Sequence, residues 1–154
     1  MQIFTLTLAL AGLITSSIAA PTPEADSVLE ARAGGYTWSV SKWRFERGDN
    51  DYDYSFKVSG SNYQDNIGFA ALCSGTNSGG AVDCTVLHHK GPYVPSVSSD
   101  TKIVGGSPKV TVTESWTDDE GCVYTNKGSV VASANSGPGP ASKFTITPAI
   151  SAVC

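Results

Sequence analysis

The sequence predicts an all-β domain, a small antiparallel β-barrel or β-sandwich of about eight short strands with two disulfides. Three observations predict it. Beyond Gly35 apolar and polar residues alternate with period two, and no stretch shows the 3.6-residue period of an amphipathic helix. Clusters of Gly, Asn, Asp, Ser and Pro interrupt the alternation at turn spacing. The four cysteines form an even count in a short chain, the pattern of a disulfide framework.

Residues 1–19 read as a secretory signal peptide. Ile3 to Ile14 is an apolar run, Ser17-Ile18-Ala19 is a small-x-small cleavage signal, and Pro21 and Pro23 end any helix. No Lys or Arg precedes the run. As a helix it would span about 18 Å, too short for a hydrocarbon core of about 30 Å. Residues 20–32 are acidic and lack aromatics, so they have little to bury. They read as a propeptide or disordered tail, with Arg32 before Gly34-Gly35 as a candidate processing site. Residues 33–154 form a single β domain of about 120 residues, enough for a core of its own.

In that domain Tyr36, Trp38 and Val40 alternate with polar residues, and Trp43 and Phe45 continue in the opposite phase. The flip predicts a bulge near Ser41-Lys42. Tyr54, Phe56 and Val58 form a second strand after a turn at residues 48–51. Ile67, Phe69, Ala71 and Cys73 form a third. Residues 75–80 make a polar loop, and Val82, Cys84 and Val86 a fourth strand. Pro92 and Pro95 mark an irregular stretch or an edge. Val110, Val112 and Trp116 form a later strand that turns at residues 118–121. Cys122, Tyr124 and Val130-Val131 follow. After a loop at 136–140, Phe144, Ile146 and Ile150 close the pattern.

Three disulfide pairings are possible, and Cys73–Cys84 with Cys122–Cys154 is favoured. Cys73 and Cys84 share the phase of their strands' apolar residues, so both face inward. Loop entropy gives about 3 kcal/mol for the short loop and about 4 for the long one. Zinc is disfavoured: no CxxC pair occurs, and His88 and His89 are adjacent in a strand and point opposite ways. No cofactor is expected.

The net charge is −4; no basic run argues for nucleic acid or anionic lipid, and no second hydrophobic stretch reaches membrane length, so no membrane insertion is expected. Asp49, Asp51 and Asp53 alternate, and Asp118-Asp119-Glu120 is contiguous; both groups sit in turns, where Asp is common for backbone reasons. A ribonuclease-like hydrolase would need separated acid and base groups. His88 or His89 with Glu114 is the available combination. There is no GxSxG elbow and no Asn-x-Ser/Thr sequon. No catalytic constellation is recognisable, so no enzyme is expected. Arg47-Gly48-Asp49 spells a tripeptide that can serve receptor recognition, on a turn that needs Gly and Asp anyway. Trp38 and Trp116 fall in core phase, which leaves Tyr52, Tyr63 and Tyr93 as candidates for stacking on a sugar.

Tyr36 to Trp43, Phe56-Lys57-Val58 before Asn62, Phe69 with Cys73-Ser74, and the order of the remaining cysteines resemble the Alternaria major allergen family of secreted fungal β-barrels. In size and leader the chain is also similar to secreted hypersensitive-response-inducing elicitors of plant-pathogenic fungi. The family's extra dimer-linking cysteines have no counterpart between Gly35 and Ser61, so a monomer is expected. The resemblance implies an effector or elicitor, secreted into the plant apoplast, that binds a host protein or a cell-wall or membrane component and triggers defence responses or cell death. The alternatives are the ribonuclease-like hydrolase and a cell-wall carbohydrate-binding or inhibitor protein.

Overall fold

The structure, a computed structural model, describes residues 36–49, 51–61, 67–76, 80–134 and 142–154. The leader 1–19, the segment 20–32, Tyr63 and the loop 136–140 lie outside the described residues. The strands are β1 (Trp38–Arg47), β2 (Tyr52–Gly60), β3 (Gly68–Thr76), β4 (Val82–Asp83), β5 (Thr85–Lys90), β6 (Ser96–Val104), β7 (Ser107–Thr117), β8 (Val123–Val131), β9 (Ser142–Ile146) and β10 (Ala149–Val153).

They form two antiparallel five-stranded sheets, ordered β5-β3-β2-β1-β9 and β10-β8-β7-β6-β4. The all-β expectation therefore takes its sandwich form. The sheets do not close into a barrel, because each keeps two edge strands: β5 and β9 in the first, β10 and β4 in the second. Among the described residues ten strands replace the expected eight or so. The expected fourth strand is divided at Cys84: β4 pairs with β6 in the second sheet, and β5 pairs with β3 in the first. The Cys84 N–H donates to Val97 O at 2.8 Å where the chain changes sheet. Strand β6, hidden behind the prolines, is an addition.

The phase flip in β1 is a bulge. Pairing with β2 shifts register between Ser41 and Arg44, and Lys42 has φ 56°. The extra residue turns Trp43 and Phe45 inward, where they are 2% and 3% exposed. Trp43 then sits among Phe45, Tyr54, Phe56 and Phe144, with ring centroids 5.8–6.5 Å away. Its indole N–H donates to Ser133 O at 3.0 Å, which satisfies the ring's polar edge.

The facing sheet supplies a different kind of surface. Val97, Val110 and Val112 are buried, and so are the polar side chains of Ser99, Thr101, Glu114 and Asn126. Phenols from β2 meet this polar stripe. Tyr54 Oη lies 3.3 Å from both Ser99 O and Ser99 Oγ, and the Tyr52 hydroxyl donates to Thr101 O.

Cys73 is bonded to Cys84, and Cys122 to Cys154. The first bridge holds β3 to the crossing point between β4 and β5. The second extends the β8–β10 ladder one step beyond Val123↔Val153.

Candidate functional site

Glu114 lies on the inward face of β7 and is 0% exposed. In register it stands between Val97 on β6 and Asn126 on β8. Its Oε2 accepts from Asn126 Nδ2 at 3.0 Å, while Oε1 has no hydrogen-bond partner among the described residues. Burial pushes the carboxyl up from 4.5 to about 7, against the opposing pull of the Asn126 hydrogen bond. The Tyr36 phenol is raised above its ordinary range, chiefly by burial and secondarily by the Glu114 charge. It lies 3.4 Å from Ile67 O.

His88 and His89 are on β5, the edge of the opposite sheet, and both are exposed. A carboxyl sealed in the interior and imidazoles in solvent do not converge on one phosphate, so the geometry does not bring the ribonuclease combination together.

The acidic turn after β7 has a structural account. Asp118 Oδ1 accepts from Glu120 N and Cys122 N, each at 2.9 Å. The Asp118 and Glu120 carboxylates and the Cys122 sulfur lie within 4.8 Å of one another. That sulfur is already bonded to Cys154, and the bridge removes its thiolate from metal chemistry. Arg47, Gly48 and Asp49 are exposed at the β1–β2 hairpin. There Gly48 N donates to Asp51 O at 2.9 Å, and a Cβ on Gly48 would stand 2.3 Å from Asp51 Oδ1. The glycine answers to that turn.

The tryptophans are committed to packing. Trp38, Trp43 and Trp116 are 0–5% exposed, and Trp116 stacks on Tyr124 at 5.3 Å and 4°. Tyr52, expected in an exposed loop, is a half-buried residue of β2 packed on Phe45. Tyr93 is half-buried, with its hydroxyl 3.5 Å from Asp119 Oδ2.

What the sequence reading missed is a surface. On the outer face of the first sheet a groove of about 560 Å³ is lined by Lys42, Arg44, Ser55, Leu72 and Ser74, with Phe56 and Cys73 behind them. The bulge makes it. Lys42 and Arg44 both emerge on the outside while Trp43 between them points in. Lys57, opposite Ser41 and Leu72, extends the cationic band across β2. Lys143, between Phe144 and the Ser142 that pairs with Trp43, is exposed on neighbouring β9. None of these four cations forms an ion pair with a described residue; Lys102–Asp100 at 3.2 Å is the pair found there. Leu72 is 46% exposed beside them.

A second groove, of about 510 Å³, lies on the outer face of the second sheet among Asp100, Lys102, Lys109, Thr111, Lys127 and Ser129. The phase flip at Ser41-Lys42 was the one sequence signal for the first groove. Its cations are spread over a hundred positions and spell no motif. In comparison with known proteins, the chain matches no family model, no curated protein and no solved structure.

Proposed function

We propose that the protein is a secreted fungal effector or elicitor that acts by binding a plant host component. The observation that supports this reading is the division between interior and surface. The carboxyl poised to exchange a proton near neutral pH is sealed in the core, whereas the accessible face of the first sheet offers cations, hydroxyls and an apolar side chain. Such a face suits recognition. Two disulfides in so small a domain are compatible with an extracellular protein.

Infiltration of the purified, oxidised protein into leaves tests the proposal. The expected outcome is necrosis, an oxidative burst or defence-gene induction, lost when the protein is reduced and unfolded. A silent leaf, with RNA degraded by the same preparation and spared by a His88→Ala/His89→Ala variant, would put the hydrolase reading in its place.

A further inference from the structure

The geometry points to an acidic, carboxylate-bearing glycan as the ligand of the first-sheet groove, held by Lys42, Arg44 and Lys57. Its origin in the plant cell wall rests on the effector reading; the binding chemistry does not.

Three observations converge. The first is backbone cost. Lys42 has φ 56° and is the one positive-φ residue other than glycine among the described residues. An L-residue there is strained, and Gly or Asn would adopt that conformation more easily. Turning Trp43 inward explains the bulge, but it does not call for a lysine in the strained position. A function for the lysine side chain does.

The second is charge. Lys42, Arg44, Lys57 and Lys143 share one face of a chain whose net charge is −4, and none has an acidic partner among the described residues. Glu46 and Asp53, paired in register two residues beyond Arg44 and Ser55, bound the band on the hairpin side. The cations are therefore open to an external anion. Arg44 brings a planar fork suited to carboxylate.

The third is the company they keep. Ser55 stands beside Arg44 in register and Ser74 next to it on β3, and Leu72 adds an exposed apolar side chain beside Lys57. Hydroxyls, carboxylates and a CH face together are what a uronate ring presents. The groove lies on an open sheet face, which suits a linear chain lying across the strands.

The test uses the oxidised protein and oligogalacturonate, a linear uronate, with binding measured by calorimetry at two salt concentrations. Wild type is expected to bind, more weakly at high salt. Lys42→Ala/Arg44→Ala should lose about tenfold or more in affinity. Lys102→Ala/Lys109→Ala removes the same charge from the opposite sheet and should change affinity less than about twofold. Lys42→Gly should weaken binding without lowering the melting temperature, because glycine accepts the bulge conformation.

Absence of binding by wild type, equal losses in the two double variants, or retention on anionic phospholipid vesicles in preference to the uronate would each overturn the assignment. Failure of the effector reading looks different: the uronate still binds, and the leaf stays silent.

Discussion

The two sheets solve the same burial problem with different side chains. The first contributes the aromatic mass: Trp38, Trp43, Phe45, Tyr54, Phe56 and Phe69 all lie on β1, β2 and β3 and are at most 3% exposed. The second contributes valines and the polar residues Ser99, Thr101, Glu114 and Asn126 that are buried among the described residues. Phenols of the aromatic sheet reach one end of the polar stripe, at Ser99 and at the Thr101 carbonyl, while Asn126 Nδ2 donates to Glu114 at the other. The difference shows that stability and sensitivity are separated here. One sheet supplies most of the apolar burial, and the other holds a group whose charge state can change.

The strongest way to break this picture is at the aromatic sheet. Trp43→Ala removes the ring at the centre of the cluster and strips Ser133 O of its donor. A loss of roughly 3–5 kcal/mol is expected in chemical denaturation. A loss below about 1 kcal/mol would mean that the cluster is not the main source of stability.

The second sheet predicts a dependence on pH. The folded-state pKa of Glu114 lies above its ordinary value of 4.5, at about 7. Below about pH 4.5 the carboxyl is protonated in both states and makes no pH-dependent difference. Between there and about 7 the unfolded chain ionises while the folded chain keeps its proton, so stability falls as pH rises. Above about 7 the fall levels off. At about 1.4 kcal/mol per pKa unit the full effect is on the order of 3 kcal/mol. Melting temperatures compared at pH 4.5 and pH 8 should show the loss in wild type, and Glu114→Gln should flatten it. Equal slopes in the two proteins would assign the pH dependence to other groups.

The smallest effect sharpens the contact between the sheets. Tyr54→Phe keeps the ring and deletes the hydroxyl that lies 3.3 Å from Ser99. A cost of about 1 kcal/mol is expected from equilibrium unfolding, with Ser99→Ala non-additive when combined.

The same contrast decides how much of the molecule could be read in advance. The aromatic sheet was legible strand by strand, because Tyr54, Phe56 and Val58 or Phe69, Ala71 and Cys73 alternate cleanly. Even its bulge showed as a phase flip at Ser41-Lys42. Strand β6 was not legible, because its inward positions Ser99 and Thr101 are polar, and the phenols that meet them, at the Ser99 hydroxyl and at the Thr101 backbone carbonyl, come from β2, some 45 residues away. A period-two signal counts only apolar residues, so it passes over a strand whose inward face is polar and is met by residues distant in sequence. The split of β4 from β5 was hidden for a related reason: an unbroken alternation does not say that its two halves join different sheets. Closure into a barrel is likewise a property of edges, not of period. The groove was least legible, since Lys42, Arg44, Lys57 and Lys143 become neighbours only through the order β2-β1-β9.

That order has a kinetic consequence. Residues 142–153 supply an edge strand to each sheet: β9 lies beside β1 in one, and β10 beside β8 in the other. Trp38 is thereby paired with Ile146, more than a hundred positions away. Loop closure on that scale is paid before the contact returns anything, so folding belongs to the slow, milliseconds-to-seconds class. Until β9 docks, Phe144 and Ile146 cannot cover the edge of β1. The exposure of that edge during folding, rather than the final stability, sets the window in which two nascent chains can pair with each other.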